Sequence, residues 1–245
     1  MKTEDIFDVK LTTPVFLEKT EQLKNYLQTL SFDQLKNLFQ CNDQIAKLNF
    51  ERFATMDLKN AMSPAILSYD GIAFQYMAPQ IFTQDYFNYV SEHLRILSAF
   101  YGVLKPFDQV VSYRLEMQAK LNAPFAKNMY DFWGKDLYDE VVDESHIILN
   151  LASKEYSKCI KKYLKKDDLW IDVVFGEWIK GKVVEKGVYV KMARGEMVRY
   201  LAEHHIEDVK EISQFDRLGF KYRQDLSSDN QYVFIKEEDH HGESL

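Results

Sequence analysis

The sequence predicts a mixed α/β fold: a single domain over residues 1–245, with a central, largely buried mixed sheet, surrounding helices and a helical N-terminal lobe over about 15–62. Three observations support this. Leu94–Leu97 and Ile147–Leu151 are short runs, apolar on both faces, as in strands covered on both sides. Each ends in a serine, Ser98 or Ser153, and leads into a turn or a helix, which is the strand-loop-helix grammar of an α/β sheet. The N-terminal third instead repeats its apolar residues at one-turn spacing.

The helical lobe carries Leu23, Leu27 and Leu30 on one face. Ser31 with Gln34 reads as a capping box for the next helix, which bears Leu35, Leu38 and Phe39. Ile45, Leu48 and Phe53 continue the pattern until Ser63-Pro64 breaks it. Thr83 can cap a helix over Asp85–His93. Lys154–Leu164 reads as helical and Gly195–His205 as another helix. Trp170–Ile179 and Lys182–Met192 read as strands around a Lys180-Gly181 turn. Phe220–Arg223 and Tyr232–Lys236 read as a closing hairpin, and the tail from Glu237 as frayed.

Bulk properties narrow the function. A chain of 245 residues, 46% hydrophobic, can bury a sizeable core. No apolar run approaches the roughly 18 residues a membrane span needs, and the acidic N-terminus lacks a secretory pattern. A cytoplasmic, monomeric protein without a membrane partner is the expectation. The two cysteines, Cys41 and Cys159, then read as reduced thiols. A net charge of −7 argues against a broad electrostatic grip on nucleic acid, though a local basic cleft remains compatible with it.

Candidate chemistry gathers at the expected strand ends, where ligands of α/β sheets tend to bind. Ser98, Tyr101, Arg114, Ser153, Tyr156, Lys191 and Arg194 are the candidate ligand-binding residues there. Ser153 precedes a helix, so its hydroxyl and the first free N–H groups can receive an anion such as phosphate. Arg114 and Arg194 can fork onto the same group. Glu116 and Glu155 can orient them or, in an enzyme, serve as general base. The structural alternative makes Arg114–Glu116 and Arg194–Glu155 plain ion pairs and Ser153 a helix cap.

A second constellation spans Leu38–Leu48: an apolar helix end, a short turn and a helix beginning at Asp43. It reads as a degenerate helix-hairpin-helix with Lys36, Asn42, Lys47 and Arg52 as DNA-binding candidates. Gln40 and Asn42 stand where glycines normally let backbone approach a phosphate; Asn tolerates left-handed geometry and Gln does so poorly. No metal site is expected. His204-His205 and His240-His241 are adjacent pairs, and neighbours on a helix diverge by about 100°. There is no Gly-x-Ser-x-Gly elbow, P-loop or dinucleotide fingerprint. No cofactor is expected.

Four segments in order carry a family resemblance. They are Leu94–Asp108 with Tyr113-Arg114-Leu115-Glu116-Met117; Tyr130-Asp131-Phe132-Trp133-Gly134; Ile148–Tyr156, containing Asn150-Leu151-Ala152-Ser153; and Lys191-Met192-Ala193-Arg194-Gly195. The pattern resembles the YaaA-like peroxide-stress family from about Pro14 to Lys236. The resemblance implies a peroxide-stress role that limits free intracellular iron and so oxidative damage. It also implies DNA binding through a helix-hairpin-helix and a positively charged cleft. The preferred reading is therefore a protein that binds DNA or another phosphate-bearing ligand; the alternative is an enzyme acting on a small phosphorylated or nucleotide-like substrate in the same pocket. One departure stands out. Family members open with a short strand running into Ser-Pro-Ala-Lys, which is missing from the Met1–Phe7 opening. Its absence is expected to leave one sheet strand short of a neighbour.

Overall fold

The computed structural model describes residues 10–237. The Met1–Phe7 opening, His240-His241 and the tail beyond Glu237 lie outside the described residues. Glu237 itself is tied down rather than frayed: its N–H donates to the Gly219 carbonyl, and its carboxylate pairs with Lys221 at 2.8 Å.

In chain order the elements begin with α1 (Leu17–Thr29), α2 (Phe32–Phe39), α3 (Asp43–Ala54), β1 (Ser63–Pro64), α4 (Ala65–Ser68), α5 (Ile72–Met77) and α6 (Gln84–His93). There follow β2 (Ile96–Ser98), β3 (Gly102–Leu104), β4 (Gln109–Val110), α7 (Met129–Trp133), α8 (Asp136–Val141), β5 (Ile147–Asn150) and α9 (Lys154–Lys161). The last are β6 (Leu169–Ile179), β7 (Lys182–Val184), α10 (Gly187–His204), β8 (Phe220–Tyr222) and β9 (Gln231–Lys236). They form two compact units. One takes the described residues up to Tyr69, Ser91–Asp143 and Ala152–Leu164; the other takes Asp70–Val90, Glu144–Leu151 and everything from Lys165.

In the first unit α1, α2 and α3 bury Leu23, Leu27, Leu35, Phe39 and Phe53. The Ser31 capping box forms in both directions, so two otherwise unpaired N–H groups are satisfied. The Leu94–Leu97 run was expected inside the sheet. Instead, among the described residues, β2 pairs only with β3, as an antiparallel hairpin. The reason is the turn: Gly102 sits at φ +79°, and a Cβ there would lie 2.8 Å from the Trp133 ring. The indole of Trp133 also donates to the Ala99 carbonyl at 2.8 Å. The ring thus seals the chain reversal that follows Ser98.

The second unit holds the large sheet, in the order β5-β6-β9-β8, with β7 paired to the far end of β6. β5, β6 and β9 run parallel, while β8 and β7 are antiparallel to their partners. Among the described residues β5 pairs with β6 alone, and it is half-exposed rather than covered on both faces. One face of β6 and β9 packs Val173, Phe175 and Phe234 against Val190, Ala193, Met197 and Tyr200 of α10. The stretch expected as a strand to Met192 is strand only to Val184; helix begins at Gly187. Its apolar residues at Val190, Ala193, Met197 and Tyr200 repeat at helical spacing, and that period decides the matter once the sheet face must be covered.

Two predictions arise from the second unit. Gly195 presses α10 onto α5, where a Cβ would meet the Ala73 carbonyl oxygen at 1.9 Å. Backbone cannot give way as a side chain does, so Gly195→Ala should lower unfolding stability by about 3 kcal/mol or more in denaturant titration. His146, at φ +56°, sets its ring 2.8 Å from the solvent-excluded Asp168 carboxylate, and its carbonyl starts the β5–β6 ladder. The Asp168 hydrogen bond raises the His146 pKa above its usual value. The resulting stability is fully present below the unfolded histidine pKa of about 6.5 and is lost as pH rises through the folded value. Denaturation midpoints should fall across that window, and His146→Gln should remove that part of the pH dependence.

Candidate functional site

Around the first motif the first unit builds a hydrogen-bond network. Phe100 and Tyr101 donate their N–H groups to Ser98 Oγ at 3.2 and 2.9 Å. The same oxygen lies 2.6 Å from the Tyr113 hydroxyl. That hydroxyl is 2.7 Å from the hydroxyl of Tyr69, which also bonds Ser98. Tyr101 does not join the network; its hydroxyl accepts from the Val111 N–H at 3.0 Å. Burial raises the phenol pKa of Tyr69, Tyr113 and Tyr156, and pushes that of Tyr101 up to about 12. These hydroxyls are neutral donors across the physiological range. Tyr69 and Tyr113 were not singled out from sequence as polar site residues. Tyr113 shows its apolar character in the pattern, and nothing local marks Tyr69.

The segment after Tyr113 lies on the start of α9. Glu155, in the first turn of that helix, accepts the Gln118 N–H at 3.1 Å. Its carbonyl receives the Tyr130 hydroxyl at 3.1 Å, which joins the second motif to the third. Tyr156 feels Tyr113, Glu155 and Glu116 as neighbours, and the Met117 N–H beside its hydroxyl offsets part of their effect. So Ser98, Arg114, Glu116, Ser153, Glu155 and Tyr156, all named from sequence, belong to one unit, and these bonds tie most of their segments together.

Two features there leave binding capacity open. Ser153 occupies the N-cap position of α9, yet its side chain makes no capping bond. Arg114 pairs with Glu116 at 2.8 Å through one terminal nitrogen, while its Nε is buried without a partner. The residues around it are irregular rather than strand, but the i, i+2 pair does share one side as expected.

The second unit holds the other predicted guanidinium. Arg194 sits on α10 one turn after Lys191. Its side chain is only 16% exposed, and its Nε is also buried and unpartnered. The ion pair it makes, with Glu185, is long at 3.6 Å. Burial accordingly lowers its pKa. Lys191 is exposed. Glu185 was not foreseen; its place two residues ahead of α10 is the signal that could have revealed it.

Residues 32–54 form two helices, α2 and α3, joined by a short turn. Gln40 adopts the left-handed conformation, at φ 45° and ψ 52°. Asn42 caps α3 by accepting the Ile45 N–H at 2.9 Å. Lys36 is engaged with Asp43 at 2.5 Å, whereas Lys47 is exposed and Arg52 half-buried. The helix start that would face a phosphate therefore already carries a carboxylate and a satisfied cap.

Neither cysteine is bonded, and burial pushes the Cys159 thiol up to about 11, away from thiolate reactivity. Among the described residues no three His, Cys, Asp or Glu side chains gather as a metal site, and no helix is long and apolar enough to cross a membrane.

The Ser98 node makes a direct test. Ser98→Ala strips the acceptor from two buried N–H groups and a hydroxyl partner from Tyr113. Unfolding in denaturant should show a loss of about 1–3 kcal/mol.

Comparison with known proteins covers nearly the whole chain. The family model for "Peroxide stress protein YaaA" matches residues 1–226. A UPF0246 protein of Desulfitobacterium hafniense is 58% identical over 223 residues, 91% of this chain and 89% of the relative. One from Agathobacter rectalis is 55% identical, over 95% and 92% of the two chains. One from Pediococcus pentosaceus is 47% identical, over 96% and 94%. With its motifs in order and relatives matched along nearly their full length, this chain belongs to the peroxide stress protein YaaA family.

Proposed function

We propose that the protein acts in the response to hydrogen peroxide by limiting free intracellular iron, and with it oxidative damage, and that it does so by binding DNA or another phosphate-bearing ligand. The grip in the first unit is Arg114 with the Ser153-led start of α9, bordered by Ser98, Tyr101 and Tyr156. Lys191 and Arg194 supply a second grip.

The observation that carries this reading is the pair of unpaired guanidinium Nε atoms. A buried donor without a partner costs about 1–3 kcal/mol, and more when charged. Arg114 and Arg194 each hold such an atom. A phosphate oxygen is the partner a guanidinium fork fits best. The Ser153 hydroxyl, not spent on its own helix, adds a donor at a helix start that already favours an anion. The α2–α3 turn carries less of the proposal, because Asp43 and the Asn42 cap occupy its helix start.

A second reading, an enzyme on a small phosphorylated or nucleotide-like substrate, draws on the two carboxylates Glu116 and Glu155 near the Tyr156 hydroxyl. In it one of them is the general base.

The test is a thermal-shift titration of the full chain with inorganic phosphate, nucleotides, phosphosugars and short DNA. Arg114→Ala should weaken whichever ligand stabilises the protein by about 1.5–3 kcal/mol, roughly ten- to a hundredfold. Equal affinity in the variant sinks the assignment. Product formation abolished by Glu155→Gln without loss of binding selects the enzyme. Peroxide-treated cells carrying Arg114→Ala should show the free-iron level of cells lacking the protein.

A further inference from the structure

The last residues of β6 leave the main sheet. The β6–β9 ladder ends at Gly176↔Ile235, and from Glu177 to Ile179 the strand pairs with β7 alone. The two strands close through Lys180 at φ 49° and Gly181 at φ 77°, a tight two-residue turn whose twist matches its strands. The hairpin is thus a two-stranded ribbon beyond the end of the β6–β9 ladder.

Its surface is unusual for this acidic chain. Trp178 is 45% exposed, and Ile179 and Val184 are exposed beside it. Just after the ribbon, Val188 and Tyr189 at the start of α10 are exposed too. Residues 178–184 carry two lysines and no carboxylate. Lys180 and Lys182 have no partner among the described residues. The acids nearest in sequence are engaged: Glu177 pairs with Lys186 at 2.6 Å and Glu185 lies against Arg194. Arg223, which forks onto Asp225, places its guanidinium 5.8 Å from the Trp178 ring centre.

We propose that the β6–β7 hairpin is a contact site for single-stranded nucleic acid, with Lys180 and Lys182 on phosphates and the exposed Trp178 ring stacked on a base. Unpaired cations seek a polyanion, and a half-exposed indole offers a stacking face that accepts any base. The order of residues decides against a bilayer. The lysines form the tip and the apolar residues follow, so a ribbon entering hydrocarbon would have to bury its charges first. The site shares no residue with the phosphate grips at Arg114 and Arg194, and it stands or falls separately from them.

The experiment measures anisotropy of a labelled oligothymidylate titrated with the full chain at low salt. Lys180→Glu with Lys182→Glu should weaken binding at least about tenfold, and reduce the log–log salt slope by about 0.7 for each phosphate that is no longer neutralised. Trp178→Ala should weaken binding about tenfold while leaving that slope unchanged. Lys166→Glu with Lys210→Glu makes the same change of net charge elsewhere in the same unit and should have little effect. Equal losses in the two double variants overturn the proposal, because only net charge then matters. Absence of oligothymidylate binding overturns it too, as does hairpin-dependent binding to phosphatidylserine vesicles without oligothymidylate binding. A phosphate-induced thermal shift that Arg114→Ala removes and Lys180→Glu with Lys182→Glu leaves intact keeps the two assignments apart.

Discussion

A polar group taken out of water must find a partner, and this constraint organises the motif-bearing parts of the chain. Ser98 Oγ answers two N–H groups, Glu155 answers Gln118, and the Trp133 indole finds the Ala99 carbonyl. Against that background the exceptions carry information. Three buried side-chain polar atoms among the described residues lack a partner; one is the amide oxygen of Asn49, and the others are Nε of Arg114 and of Arg194. Arg114 keeps a 2.8 Å pair with Glu116 yet leaves its Nε unmatched, and Arg194 lies 3.6 Å from Glu185 with its Nε unmatched as well. An unpartnered buried donor costs stability at each of these two positions.

The family motifs prove to be contact partners more than separate signatures. The glycine of the first motif needs both its positive φ and the space the Trp133 ring leaves, and that tryptophan belongs to the second motif. Tyr130 of the second motif donates to the backbone of Glu155 in the third. In the fourth, the glycine after Arg194 is there because backbone of α5 approaches within a Cβ radius. Glycine at such points is a packing requirement, and the charged neighbour is positioned as a consequence.

Membership of a peroxide-stress family invites a thiol mechanism, and the chemistry here points elsewhere. Cys159 is buried with its thiol held protonated, and the buried phenols of Tyr69 and Tyr113 resist ionisation as well. Arg114, Lys191 and the lysine-tipped hairpin with its Trp178 place cationic and aromatic groups on the surface of an otherwise acidic chain.

Local pattern determined a good deal by itself. The capping box at Ser31, the Thr83 cap, the Lys180-Gly181 turn and the pairing of β8 with β9 all follow from short-range chemistry, and each appears where its residues stand. So do the two arginines, because charged side chains set among apolar runs announce an unmet need. Tertiary structure decided what period and composition leave degenerate. An apolar run of four residues does not say whether it is a central strand, an edge or a private hairpin, so β2 and β5 went to places the pattern had not chosen. The stretch before Ala193 has both strand and helix character, and only the need to cover β6 and β9 made it helix from Gly187. Tyr69 reaches Tyr113 across a sequence separation of 44 residues, and Gly195 reaches Ala73 across more than a hundred. Such contacts exist only once distant segments are packed, since no single segment can bury its own polar groups alone.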